Sequence, residues 1–90
     1  MALMVRFEVK NMTTEKYAEV LRRLEGKGLG APRGRIHHTS YGPIDALNVV
    51  DIWDTPANFE AFGKELMPIL GSLGIDPGTP TVSPVHNIIR

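Results

Sequence analysis

The chain has 90 residues, of which 42% are hydrophobic and 22% charged, and its ten basic residues balance its ten acidic ones. This length predicts a single domain over residues 1–90, with a core thin enough to favour pairing with a second copy. Zero net charge argues against a nucleic-acid partner, which usually requires a basic face, and the absence of cysteine excludes disulfides and thiolate chemistry and fits a cytoplasmic location.

The first element alternates apolar and polar residues with a period of two, which is typical of a strand with one buried face. Its more polar face carries Met4, Arg6 and Glu8. The apolar start is interrupted at Arg6, too early for a signal peptide or a membrane span, so no membrane partner is expected.

A helix is predicted next, because Thr13 or Thr14 can cap it and apolar residues then recur at helical spacing. The apolar positions are Tyr17, Val20, Leu21 and Leu24. The glycine-rich segment 26–34 follows this helix instead of opening one, which disfavours a phosphate-binding loop. We expect a plain loop there, or a mobile lid over the sheet.

Two strands joined by a turn follow, over residues 35–40 and 46–53, with the turn at 41–45. In the second of these strands Val50 and Ile52 share a wholly apolar face, which we assign to the helices. The opposite, open face of the sheet then carries Val49, Asp51 and Trp53, together with the polar side of the first strand.

The last two elements are a second helix and a strand. Thr55 and Pro56 provide the N-cap and the first helical residue, and Gly74 the C-terminal end. The apolar stripe consists of Phe59, Phe62, Leu66, Ile69 and Leu73, in phase across Pro68, which predicts a kink and not a stop. Residues 81–89 form the fourth strand, and Pro84 places it at an edge because proline cannot donate to a central ladder.

The order strand, helix, strand, strand, helix, strand predicts an α+β, ferredoxin-like fold. This split βαβ arrangement has a four-stranded antiparallel sheet, in the order 4-1-3-2, with two helices on one face. The other sheet face is then open. Because that face holds an acid and a tryptophan, it suits a ligand pocket or an interface, and we expect a homodimer through it.

Histidine and carboxylate are the candidate chemical groups, because imidazole exchanges protons near neutral pH. His37 and His38 are adjacent, so a regular strand points them to opposite faces. If Val49 lies opposite His38, then the open face holds Ile36, His38 and Asp51. A slip of one residue reverses this assignment. The His38–Asp51 pair is either a general base with its orienting carboxylate or a structural hydrogen-bonded pair.

Other residues complete the candidate site. Trp53 is expected to form an aromatic wall, and Arg6, Glu8 and His86 to contact a ligand. His86 lies on a strand whose facing is poorly defined, and the alternative is that it satisfies backbone groups. A metal site built from two histidines and a carboxylate has no diagnostic spacing, so we expect neither a metal nor a cofactor.

Short segments distributed along the chain carry a resemblance to a known family. They are Val50-Asp51-Ile52-Trp53-Asp54, Phe59 and Phe62, Pro68, Gly74-Ile75, and Pro84-Val85-His86-Asn87. With them the whole chain resembles the small dimeric α+β barrel proteins of the antibiotic-biosynthesis-monooxygenase superfamily, especially members of unknown function. The resemblance implies two ferredoxin-like subunits joined by their open faces. It associates His38, Asp51, Trp53 and His86 with positions of the small members.

The same superfamily includes cofactor-independent monooxygenases, haem-degrading enzymes and lactone isomerases or cyclases. The haem-degrading branch carries an axial histidine on the second helix, and residues 56–73 contain none, which disfavours haem chemistry. Because fold does not fix function, the resemblance raises the expectation of an oxygenase without establishing one.

Three functions therefore remain open. In the first, His38 and Asp51 orient or deprotonate a small aromatic or polyketide-like substrate against Trp53, as in a cofactor-independent monooxygenase. In the second, the same pocket binds a small apolar molecule without chemistry. In the third, Arg6, Glu8, Asp51 and the histidines form ion pairs across the dimer, and no pocket exists.

Overall fold

An antiparallel four-stranded sheet carries both helices on one face, and the computed structural model describes residues 2–89. The elements are β1 (Leu3–Phe7), α1 (Thr14–Gly26), β2 (Arg35–Tyr41), β3 (Asn48–Trp53), α2 (Pro56–Ser72) and β4 (Thr81–Pro84). The strands lie in the order β2-β3-β1-β4, and every neighbouring pair is antiparallel. The predicted ferredoxin-like α+β fold and its strand order are confirmed.

The helix boundaries follow the capping residues. The hydroxyl oxygens of Thr13 and Thr55 accept hydrogen bonds from backbone N–H groups three residues later, at 3.1 and 3.2 Å. α2 continues through Pro68, as predicted, and Gly74 follows its end with a φ of 69° that favours glycine. Within the described chain, neither helix is long and apolar enough to cross a bilayer.

The buried face of β1 is the apolar one. Leu3, Val5 and Phe7 are at most 7% exposed, whereas Met4 and Arg6 are exposed. The three buried side chains pack in the core with apolar residues of both helices. The predicted alternation of β1 is therefore confirmed, and Met4 and Arg6 lie on the open face.

The prediction for the faces of β3 is wrong. Asp51 lies directly opposite Val5, and Trp53 opposite Leu3, so both share the helix-covered face of β1. Asp51 is 5% and Trp53 0% exposed. The open face instead carries Val50 and Ile52. Because β3 has apolar residues on both sides, its alternation does not indicate which side is open. The helices cover the side that carries the large indole of Trp53.

A β-bulge changes the direction of side chains in β2. Arg35 pairs with Trp53 and His37 with Ile52, which leaves Ile36 as the extra residue. His38 pairs with Asp51, so these two do share a face, but it is the helix-covered one. Ile36 lies with His37 and Ile52 on the open side and so does not share a face with His38. The condition that Val49 lies opposite His38 is not met, because Ser40 occupies that position.

The fourth strand is shorter than predicted. β4 pairs with β1 at the edge of the sheet, which confirms the position inferred from Pro84. It ends at Pro84, and one further hydrogen bond joins the Val85 N–H to the Ala2 carbonyl at 3.0 Å. The predicted extension to residue 89 is wrong, because the partner strand β1 begins at Leu3, which is the residue opposite Pro84.

Candidate functional site

Three polar side chains from three elements meet between α1 and the sheet. Tyr17 lies on α1, His38 on β2 and Asp51 on β3. The hydroxyl oxygen of Tyr17 is 2.6 Å from His38 Nε2, and His38 Nδ1 is 2.5 Å from Asp51 Oδ1. The Tyr17 and His38 rings are nearly parallel, at 4°. We call this continuous hydrogen-bonded series the Tyr–His–Asp chain.

The chemistry of the three groups determines which atom donates in each bond. An ionised Asp51 can only accept, so His38 donates to it through Nδ1–H. In the neutral imidazole Nε2 is then an acceptor, and Tyr17 donates its O–H to it. Both ring nitrogens of His38 are occupied in this way. The oxygen of Tyr17 is therefore one end of the series, and its lone pairs can accept a hydrogen bond from a further group.

The buried carboxylate depends on this arrangement. Among residues 2–89, Asp51 is the one charged residue that is buried. A carboxylate in an apolar interior is costly unless it is hydrogen-bonded, and here His38 supplies the hydrogen bond. An apolar residue at this position would pack against Val5 without that requirement. Such a conflict between local preference and fold is typical of functional sites.

A small cavity of about 60 Å³ adjoins the Tyr–His–Asp chain, whose three residues all line it. Its apolar lining includes Phe7, Val20, Leu24, Phe62, Leu66 and Leu70. An engineered cavity that binds benzene measures about 150 Å³. The cavity as it stands therefore holds a few water-sized groups, and an aromatic ring requires the lining side chains to move.

Arg35 is a further polar residue at the cavity, and it is half-buried. Its Nη2 donates to the carbonyl of Gly30 at 3.2 Å, and its guanidinium carbon lies 5.9 Å from the centre of the Phe62 ring. The cavity thus combines an apolar interior with one acid, one imidazole, one phenol and one guanidinium group.

Trp53 is a core residue. Its ring centre lies 5.8 Å from that of Phe59 and 5.3 Å from that of Phe62. Its indole N–H is buried and has no hydrogen-bond partner among the described residues. The structure therefore places the expected aromatic wall within the helix-to-sheet core, on the same face as His38 and Asp51.

The other predicted site residues lie elsewhere. Arg6 is on the open face, and an exposed pair with Glu8 at 3.9 Å adds little stability. His86 is exposed and follows the end of β4. The structure does not bring these three residues together with the Tyr–His–Asp chain. Within residues 2–89 no cluster of three or more histidine, aspartate or glutamate side chains is arranged to hold a metal.

Two residues of the site were missed by sequence reasoning. The helical spacing assigns Tyr17 to the apolar stripe of α1. Its hydroxyl group is the signal that could have indicated a hydrogen bond to a histidine on the sheet, because a buried tyrosine O–H usually has a partner. Arg35 was missed because the bulge that turns it toward the cavity has no signature in the run Arg35-Ile36-His37-His38.

Comparison with known proteins gives structural neighbours only. No protein-family model matches the chain, and no curated protein sequence matches it significantly. SnoaB, a cofactor-independent oxygenase from Streptomyces nogalater, matches with a TM-score of 0.61 and 15% identity, over 98% of this chain and 94% of that chain.

Two further structures match similarly. A candidate antibiotic biosynthesis monooxygenase from Chloroflexus aurantiacus matches with a TM-score of 0.55 and 14% identity, over 97% of this chain and 94% of that chain. A protein of unknown function from Nitrosomonas europaea matches with a TM-score of 0.56 and 18% identity, over 99% of this chain and 89% of that chain. At such identities the matches show a shared fold, so the resemblance found in the sequence is confirmed at the level of the fold.

Proposed function

We propose that this protein binds a small aromatic molecule in the cavity and removes a proton from it through the Tyr–His–Asp chain, as a cofactor-independent, monooxygenase-like enzyme. The observation that carries the proposal is that this hydrogen-bonded series ends at a cavity. The fold shared with a cofactor-independent oxygenase supports it. The three residues also have the roles that general-base catalysis requires.

Each residue has a distinct role in the proposed proton transfer. Tyr17 contacts the substrate, and its oxygen accepts the substrate proton as its own proton passes to His38 Nε2. Asp51 holds the imidazole in the required tautomer and stabilises the imidazolium that forms. The substrate anion is then electron-rich enough to react with dioxygen. In the overall reaction a phenol and one O₂ give a quinone and one water.

The decisive experiment measures oxygen consumption with 1-naphthol, which would yield 1,4-naphthoquinone. We expect Tyr17→Phe and His38→Gln to lower the rate by about 10²–10⁴-fold, the usual contribution of acid–base groups. The chain offers matched controls, because Tyr41 and His37 lie on the opposite face of β2. Tyr41→Phe and His37→Gln should keep the wild-type rate. Wild-type protein that leaves 1-naphthol unoxidised, or equal rates in all variants, would contradict the proposal.

A second candidate is a binding protein without chemistry, and the occupied nitrogens of His38 favour it. In this case the Tyr–His–Asp chain only fixes the shape and polarity of the cavity. Binding of 4-nitrophenol with no change in its mass after prolonged incubation in air, together with no oxidation of 1-naphthol, would select this candidate over the enzyme.

We also propose that two copies associate through the open sheet face. Val50 and Ile52 lie there, and Met4 and Ile36 are each 41% exposed. The reason for association differs from the one inferred from sequence, because the face does not contain Asp51 or Trp53 and carries aliphatic side chains beside polar ones such as Arg6 and Thr39. The aliphatic residues of this face, Val50 and Ile52 among them, suit the centre of an interface with a polar rim.

A further inference from the structure

We propose that Arg35 forms an anion-binding subsite in the cavity, so that the substrate is a small organic acid bearing a carboxylate. The inference rests on the proposed function only in taking the cavity as the substrate site. It is carried by the direction of the Arg35 side chain and by its unused hydrogen-bonding capacity.

The bulge in β2 is what brings Arg35 to the cavity. Residues three apart in a regular strand point to opposite faces, so Arg35 and His38 would be separated by the sheet. The extra residue Ile36 reverses this, and Arg35 and His38 pair with Trp53 and Asp51 on the same face of β3. Bulges occur next to active sites, where they redirect a side chain.

The guanidinium group has most of its donors free. Among residues 2–89 no carboxylate lies within ion-pair distance of Arg35, and the carboxylate of the cavity, Asp51, is bound to His38. The hydrogen bond to the Gly30 carbonyl uses one of five N–H groups. The remaining donors match the two oxygens of a carboxylate, the geometry in which arginine binds most strongly.

The cross-strand neighbour of Arg35 packs in the core and does not line the cavity. Trp53 is directly opposite Arg35, and its buried indole N–H has no acceptor within the described chain. The Trp53 ring and the Arg35 guanidinium both pack against Phe62, at 5.3 and 5.9 Å. Among the residues that line the cavity, Arg35 is the one arginine or lysine, and the acid, Asp51, is already bound to His38.

The test compares two ligands that differ in charge at one group, 4-hydroxybenzoate and 4-hydroxybenzamide, by isothermal titration. We expect the wild type to bind the acid about tenfold or more tightly than the amide, because hydrogen bonds to a charged group are about twice as strong. Arg35→Gln should remove the preference, and Arg35→Lys should retain part of it. The matched control is Arg33→Gln, since Arg33 is exposed and two residues away; it should keep the full preference.

The subsite and the proposed proton transfer can fail independently. Tyr17→Phe should stop oxidation of 1-naphthol and leave the preference for the acid intact. A wild type that does not distinguish the acid from the amide, or that binds neither, would overturn the subsite whatever the result with 1-naphthol. Equal loss of the preference in Arg33→Gln and Arg35→Gln would also overturn it, because general surface charge would then explain the binding.

Discussion

The carboxylate of Asp51 orients His38 and, through it, the hydroxyl of Tyr17. Asp51 Oδ1 lies 2.5 Å from His38 Nδ1, and His38 Nε2 lies 2.6 Å from the Tyr17 hydroxyl oxygen. Because each hydrogen bond orients the next residue, the three behave as a unit. Removing one member leaves a polar group without its partner in a mostly apolar site, which costs about 1–3 kcal/mol for a buried group. Effects of substitutions within such a unit are expected to be strongly non-additive.

Gly34 occupies a position where both the backbone angle and the available space exclude a side chain. Its φ is 88°, and a Cβ there would overlap Asp54 Oδ1 and Asn58 Nδ2. Gly28 has a similar φ of 76° but open space around it.

We predict that Gly28→Ala lowers the free energy of unfolding by about 1–2 kcal/mol, the cost of the left-handed angle alone. Gly34→Ala should cost a further 1–3 kcal/mol or so, because the added methyl group displaces packed neighbours. Urea denaturation measures both values. Equal losses in the two variants would show that the close approach at Gly34 has no energetic consequence.

At the scale of elements, the sequence predicts a segment correctly where its hydrophobic spacing and its capping residues indicate the same type of structure. β1 alternates strictly and the helices carry threonine caps, so their type and order followed directly. β3 is apolar on both sides, and periodicity cannot decide which side the helices cover. The extra residue in β2 also has no local signature.

The candidate site was predicted in part for the same reason. His38 and Asp51 were placed on one face correctly because the assumed register differs from the observed one by two residues, which preserves the alternation, whereas the face itself was wrong. Tyr17 and Arg35 required knowledge of what α1 covers and where the bulge lies. Both are long-range properties that one sequence does not specify.

The junction of β3 and α2 makes stability depend on pH. The side chain of Asn58 donates to Asp54 Oδ1 at 2.9 Å, and this hydrogen bond holds the pKa of Asp54 below its ordinary value of 3.8. Burial opposes the shift, and backbone N–H groups reinforce it. Because the folded state favours the ionised form, the contribution is present above the ordinary pKa and is lost as the pH falls through the lowered one.

We therefore predict that Asn58→Ala raises the pKa of Asp54 toward its ordinary value and weakens the acid-side loss of stability. Carboxyl carbon NMR titration measures the pKa, and denaturation between pH 2 and 5 measures the stability. Asp76 provides a carboxyl control, because it lies in a separate turn, where its side chain bonds to the Gly78 N–H. An unchanged Asp54 titration in the variant would exclude Asn58 as the cause.

At the scale of the whole molecule, the helices cover one sheet face and leave the other open, with Val50 and Ile52 on it. The core of so small a chain is thin, and a standard interface buries about 800 Å² per partner. Association through the open face would bury Ile52 and its neighbours and leave the Tyr–His–Asp chain enclosed within each copy.

We predict that the wild type sediments as a dimer at micromolar concentration and that Ile52→Lys sediments as a monomer, because a charge at the centre of an interface is unfavourable. Ile44→Lys is the matched control, since Ile44 is 76% exposed in the turn between β2 and β3. It should remain dimeric. A monomeric wild type would contradict association through this face.

The state of the His38 ring tests the Tyr–His–Asp chain most directly, and nitrogen-15 NMR of the imidazole reports it. We predict a proton on Nδ1 with a strongly downfield Nδ1–H signal, and an Nε2 shift that changes in Tyr17→Phe but not in Tyr41→Phe. A proton on Nε2 with a bare Nδ1, or an Nε2 shift indifferent to Tyr17, would contradict the proposed site.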